Sequence, residues 1–332
     1  MRLQSFRIAE EEGQRGKMAL PLHFFGPDDT MIVRSKSNWW TLLFVWRGSM
    51  MKQMLPQLLI VAVLSGVAVW TEGHIFFRKI PLNATPFTLV GVALALFLGF
   101  RNSSAYDRWW EGRKLWGALV NTMRTLARQV LTMTGDAADK RAFIDMLVAF
   151  TYAMRDQLRG DGFARSAELL TPALAEEVDR ARYKPFIILR AMGEWVSARY
   201  KEGAFGEITM TAIDRNLVEL SNILGGCERI AATPVPFGYS VMIHRVVYFY
   251  CALLPFGLVD AIEWMTPAVT LVMAYSFIAL DSLAAELEMP FGRDENDLAL
   301  DAISMNIELS IREMSGESLD KKPLQAVAYV LH

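Results

Sequence analysis

Leu89-Val90-Gly91-Val92-Ala93-Leu94-Ala95-Leu96-Phe97-Leu98-Gly99-Phe100 runs directly into Arg101-Asn102-Ser103-Ser104-Ala105-Tyr106-Asp107-Arg108-Trp109-Trp110. An apolar span ends abruptly in a polar, aromatic and charged segment. Gly91, Ala95, Gly99 and Ser103 fall four apart, so they share one stripe of a helix. Small residues at that spacing let a second helix approach closely within a membrane. Val92, Leu96 and Phe100 form the adjoining stripe, which Ser104 and Arg108 continue beyond the apolar run. The first stripe is suited to packing. The second would be presented to a central axis if several copies of the helix stood around one.

Composition sets the class. The chain has 332 residues, 53% hydrophobic and 21% charged, with a mean hydropathy of +0.23. That is too apolar for an ordinary soluble protein and too charged to lie wholly in a membrane. A formal net charge of −2 argues against nucleic-acid binding, which needs a basic surface. Two cysteines, Cys227 and Cys251, do not make a disulfide scaffold, and both are expected to be reduced.

Four segments approach the roughly 20 apolar residues that a helix needs to cross the hydrocarbon core. They run from about Met54 to Trp70, Leu82 to Phe100, Phe237 to Val259 and Met265 to Leu287. Pro56, Pro255, Pro267 and Pro290 mark ends or kinks. Orientation follows from the basic residues. Arg34, Lys36, Arg47 and Lys52 precede the first span, and Arg101, Arg108, Arg113, Lys114, Arg124 and Arg128 follow the second. The link between the last two spans carries Asp260 and Glu263 and no basic residue. Arg78 and Lys79, in the first link, run against this pattern but are outnumbered. Both termini and the long middle therefore read as cytoplasmic.

The domain reading follows. Residues 1–30 form a charged, unpatterned extension without the apolar core of a signal peptide, and it is expected to be mobile. Residues 31–53 hold an interfacial helix, with Ser37 as its cap and Trp39, Trp40 and Trp46 suited to the headgroup layer. Residues 54–100 carry the first two spans, 101–235 a helical cytoplasmic region, 236–287 the last two spans, and 288–332 a cytoplasmic C-terminal segment. In the middle, Leu115, Leu119, Met123, Leu126 and Val130 repeat at helical spacing. Further helices are predicted over Arg141 to Leu158, Pro185 to Tyr200 and Ile208 to Ile230, with breaks at Gly160-Asp161-Gly162 and Lys201-Glu202-Gly203. No run of alternating strands is present. The fold class is all-α, with four transmembrane helices and a helical cytoplasmic region.

Catalytic signatures are absent: there is no phosphate-binding glycine loop, His-Glu-x-x-His, Gly-x-Ser-x-Gly or Cys-x-x-Cys. The chain does not read as an enzyme. Of four histidines only His244 lies well inside a span, beside Arg245, where a packed or hydrogen-bonded imidazole is expected. Glu286, Glu288, Asp294, Glu295, Asp297 and Asp301 cluster around Pro290-Phe291-Gly292. Oxygen ligands at short spacing can hold a hard cation, but the spacing is not that of an EF-hand, and a solvated or helix-capping turn is the simpler reading.

Several separated motifs together resemble one family. Phe97-Leu98-Gly99-Phe100-Arg101-Asn102, Arg108-Trp109-Trp110 and Arg113-Lys114-Leu115-Trp116-Gly117 resemble the second-span signature of bestrophins, above all the bacterial homologues. Phe44-Val45-Trp46-Arg47-Gly48-Ser49 resembles the segment before their first span, and Pro290-Phe291-Gly292 the turn after their last. Gly226-Cys227-Glu228-Arg229-Ile230 with Thr233-Pro234-Val235-Pro236-Phe237 resembles the bacterial approach to the third span. The likeness covers roughly residues 31 to 310.

The resemblance implies a homo-pentameric ion channel in the bacterial inner membrane, with one pore on the fivefold axis. The second span would line a narrow apolar neck at Val92, Leu96 and Phe100, packed through Gly91, Ala95 and Gly99. Apolar rings cannot replace an ion's hydration shell, so such a neck excludes water and ions until it widens. A second constriction falls at Ile208 or Met210. In eukaryotic members the acidic turn helps to form a calcium clasp. Asp294 and Asp297 match two of those positions, but Arg293 and Asn296 interrupt the run, so no tight calcium site and no other cofactor is expected. Eukaryotic members pass anions, whereas bacterial relatives can pass monovalent cations. Monovalent cations are the expectation here, a chloride or other anion channel of the same architecture the alternative, and a secondary transporter a third reading. The implied partners are ions, the lipid bilayer and further copies of the chain.

Overall fold

A computed structural model describes residues 31–32, 40, 50–75, 78–79, 82, 84–135, 139–318 and 330–331. The extension over 1–30 lies outside the described residues, as does most of the predicted interfacial segment 31–53 with its Ser37 cap; of that segment Met31–Ile32 form a strand and residues 51–53 open the first long helix.

The fold is all-helical. The first long helix, α1, spans Met51–Trp70, and α2 spans Ala84–Met133. α2 is one uninterrupted helix of 50 residues, ~75 Å at the usual rise per residue. The predicted boundary at residue 100 is therefore a change of composition within one helix. Polar residues replace apolar ones there, but no proline or glycine pair breaks the backbone hydrogen bonding. Four helices follow as the middle region: α3 (Lys140–Arg159), the single turn α4 (Ala164–Ala167), α5 (Pro172–Arg180) and α6 (Lys184–Lys201). α7 (Glu207–Ala232) leads to α8 (Phe237–Ile262), a 3-10 turn (Glu263–Met265) and α9 (Thr266–Leu287), and α10 (Leu300–Met314) comes last.

The breaks have local causes. Asp139 caps α3 by accepting a hydrogen bond from the Ala142 N–H at 3.2 Å. Gly160, with φ 71°, ends it in the left-handed region that glycine adopts without strain. Gly203, at φ 77°, turns the chain after α6. Pro172 and Pro267 sit in the first turns of α5 and α9, where no amide donor is needed. Pro56 and Pro255 lie inside α1 and α8.

By length and composition three segments are apolar enough to cross a membrane: Met51–Trp70, the apolar part of Ala84–Met133, and Phe237–Leu287. The last, of 51 residues, is two helices, because α8 and α9 are parted by the 3-10 turn and pack on one another. Two-residue pairings are the only strands among the described residues. Met31–Ile32 pairs with Val330–Leu331, and His74–Ile75 with Arg78–Lys79, both antiparallel.

Two cores result. In the membrane-type half, Met54 and Val61 of α1, Leu94 and Leu98 of α2, Val247 and Cys251 of α8, and Ala274 and Ile278 of α9 pack together. In the other half, the core joins Trp116 and Met123 of α2, Phe143 and Phe150 of α3, Ile213 and Leu220 of α7, and Ile307 of α10. α2 belongs to both cores and couples them.

Candidate functional site

The inward face of α2 is set by Gly91, Leu94, Leu98, Arg101 and Ala105, all buried. On the other face Val92, Leu96 and Phe100 are 59%, 59% and 66% exposed. One helix thus packs through one stripe and leaves on the subunit surface a line of three apolar side chains, four apart, flanked by the exposed Leu89, Val90 and Phe97. Burial of the same side chains would contribute roughly 1.5–3 kcal/mol each, so their exposure in a single subunit marks a surface that lipid, a further copy or a pore must meet.

The small-residue stripe divides. Gly91 is buried against α8: a Cβ there would stand 2.9 Å from the Tyr250 hydroxyl. Tyr250 is itself wedged edge-on between Phe87 and Phe277. Ala95 and Gly99 are exposed, and a Cβ on Gly99 would meet nothing within 4 Å. Gly91 serves packing within the subunit, while the other two lie open beside the apolar line.

Just beyond Phe100, α2 is fastened to its neighbours. Arg101, 5% exposed, forms ion pairs with Asp281 of α9 and, at 3.2 Å, with Glu288 just past the end of α9. His244 of α8 joins the same carboxylate, its Nδ1 lying 2.8 Å from Asp281 Oδ2. Asn102 Nδ2 donates to the Leu98 and Leu280 carbonyls, both at 2.9 Å. Two turns on, Arg108 donates to the carbonyls of Thr233, Ile230 and Glu288. The sequence signalled His244 as hydrogen-bonded but gave no partner. Asp281 lies 180 residues from Arg101, and nothing in local periodicity joins them.

The two candidates for a second constriction differ. Ile208, in the first turn of α7, is 89% exposed. Met210 packs against the larger helical core. The acidic turn is built inward. Asp297, 2% exposed, accepts the Asp294 backbone N–H at 2.7 Å. Burial pushes its carboxyl up to about 7, the charges of Asp294 and Glu286 push the same way, and the Asp294 N–H and Arg159 oppose them. Among the described residues no group of three or more His, Cys, Asp or Glu side chains is arranged to hold a metal ion. The Cys227 thiol, buried in α7, is pushed up to about 12 by burial and by Glu111 and Glu228.

A membrane-type helical core and a long helix shared by two cores define a membrane protein, and the comparisons give the family. The model of the bacterial and fungal bestrophin proteins matches residues 31–313, so the chain belongs to the bestrophin family. It is 46% identical over 305 residues to a voltage-dependent anion channel-forming protein of Ralstonia nicotianae, covering 91% of this chain and 100% of that one. It is 40% identical over 292 residues to the protein of that description from Escherichia coli K12, covering 87% and 95%. Among solved structures, a bacterial bestrophin homologue from Klebsiella pneumoniae superposes with a TM-score of 0.77 at 38% identity, covering 80% of this chain and 100% of that one. The chain is a membrane protein of an ion-channel family, and the family is not one of enzymes.

Proposed function

We propose that five copies of this chain form a ring in the bacterial inner membrane, with α2 of each lining a central pore for monovalent cations. The observation that carries the reading is the exposed line Val92, Leu96 and Phe100, four apart on the face of α2 turned away from its packed stripe of Gly91, Leu94 and Leu98. In a ring this line becomes three apolar constrictions stacked along the axis, a gate that works by dewetting. Ile208, exposed at the start of α7, is the proposed second constriction, in preference to Met210. α1, α2, α8 and α9 are the four crossings. The pairing of Met31–Ile32 with Val330–Leu331 supports placing both ends of the chain on one side, and the basic residues around the spans put that side in the cytoplasm.

An apolar neck carries no charge with which to select. The charges beside it do. Arg101 is turned into the subunit and paired with acids. On the line of Phe100, about two turns further on, stands Asp107, which is exposed. The first ionised side chain on the proposed pore face is thus acidic, which favours cations. The description of the relatives as anion channel-forming proteins supports the second reading, an anion pore of the same architecture. Calcium independence belongs to the proposal as well: Asp297 spends an oxygen on closing its own turn. Purified protein in planar bilayers, with the subunit number measured by native mass spectrometry, tests the proposal. Rings of five that pass current support it. An intact protein of another stoichiometry that passes none sinks it and revives the transporter reading.

A further inference from the structure

The proposed neck is lined by exposed side chains, yet the firmest contacts at its inner end lie on another face of the helix. Arg101 follows Phe100 in sequence and points about 100° away from it around α2. Phe100 is exposed, and Arg101 is buried in ion pairs with Asp281 and Glu288. Asp281 is held from a third helix by His244, and Asn102 adds a hydrogen bond to the α9 backbone. α1 packs against α9 as well. Between Gly91 and Arg101 the contacts of this face are apolar, through Leu94 and Leu98, and apolar contacts allow small slides that ion pairs with fixed geometry do not.

We propose that Arg101, Asp281 and His244 form a tether that draws the inner end of the neck helix back against α8 and α9 and so sets the width of the Phe100 ring. This rests on the pore reading above. The tether acts on a flank of α2 turned away from the proposed axis. Removing it leaves this end held by the hydrogen bonds of Asn102 and Arg108 and lets the Phe100 turn lean towards the axis, where apolar side chains gain by meeting one another and expelling water. Arg101 and Asp281 are positioning residues. They touch no ion in the pore, and their effect passes through Phe100. A cavity of about 510 Å³ opens beside His244 and Asp281 between α1, α8 and α9, so the tether lies at the edge of open space and has room to rearrange.

Single-channel recording in planar bilayers provides the test, because it reads rings one at a time and is unaffected by the yield of assembled protein. Asp281→Asn is expected to lower open probability by about tenfold or more, a fraction of what removing one partner of a buried ion pair costs, with unitary current in the open state unchanged. Asp281→Glu should restore opening. Adding Phe100→Ala to Asp281→Asn should also restore flux, since the ring that closes has been removed. Wild-type opening in Asp281→Asn overturns the tether. So does a silent Asp281→Asn channel that Phe100→Ala does not rescue, because the loss then does not run through the neck. If Asp281→Asn fails to assemble, Arg101→Lys, which keeps the charge and loses the forked geometry, carries the same expectations and the same rescue. Wild-type rings that pass no current under these conditions contradict the pore reading instead, and the two failures are distinct.

Discussion

At the scale of the residue, everything turns on which side of a helix each side chain takes. Val92, Leu96 and Phe100 lie on one exposed line, and the middle one is the cleanest probe. Leu96→Ala removes three carbons from each ring member and should widen the neck, raising ion flux severalfold in a liposome assay. Unchanged flux would mean that Leu96 does not face the pore. Asp297 gives a second prediction, from its raised pKa. A carboxyl with a higher pKa folded than unfolded binds more protons in the native state, so its contribution is present in full below pH ~4 and is lost as pH rises through about 7. Thermal stability in detergent should therefore fall between about pH 4 and pH 7, and Asp297→Asn should flatten that part of the profile. A variant with the wild-type slope would show that another group titrates. The spacing of the exposed line was legible in the sequence because a period near four survives without knowledge of neighbours. The partners of Arg101 were not, because Asp281 and Glu288 reach it only through the packing of α9 on α2.

At the scale of the element, α2 matters most. Hydropathy located its apolar half, and the Leu115–Val130 pattern located its other half. Ser103, Ser104 and Arg108 carried the helical stripes across the change of composition, but the full length of 50 residues was not legible, because a change from apolar to polar composition resembles a boundary although only backbone geometry breaks a helix. Close packing of α2 on α8 leads to a prediction about Gly91. A branched side chain there must displace Tyr250, which Phe87 and Phe277 hold in place. Gly91→Val should destabilise the protein by about 1–3 kcal/mol, as overpacking does, read as a lower Tm. An unchanged Tm would mean that Tyr250 has room to move. α10 was the element least visible in advance, since residues 288–332 read as an acidic turn and a tail. Its apolar face, Ile303, Ile307 and Ile311, is buried, and so is Glu308, at 3% exposure. Glu308 accepts hydrogen bonds from Tyr152 at 2.7 Å, Arg165 at 2.8 Å and Arg312 at 3.1 Å. A carboxylate that scans as polar surface is here the hub that joins α10 to α3 and α4. Glu308→Ala removes the shared buried partner of both guanidinium groups and should cost about 3–5 kcal/mol. Denaturant unfolding checks this, and a loss below about 1 kcal/mol, the scale of an exposed ion pair, would contradict it.

At the scale of the whole molecule, one subunit leaves exposed what an assembly would use. Leu89, Val92, Leu96, Phe97 and Phe100 on α2, and Phe249 and Val272 on the helices beside it, are large apolar side chains on the surface. Composition showed that such surface had to exist in a chain of mean hydropathy +0.23. It did not show which part meets lipid, which a neighbouring copy and which the pore, since those three surroundings ask for much the same side chains. Charge placement separates the two readings of the pore. With Arg101 paired inside the subunit and Asp107 exposed on the line below Phe100, cations should pass in preference to chloride. The most direct measurement is the reversal potential of purified rings in a planar bilayer under asymmetric potassium chloride. A cation pore predicts a shift towards the potassium Nernst potential, reduced by Asp107→Asn. A shift towards the chloride potential would contradict it.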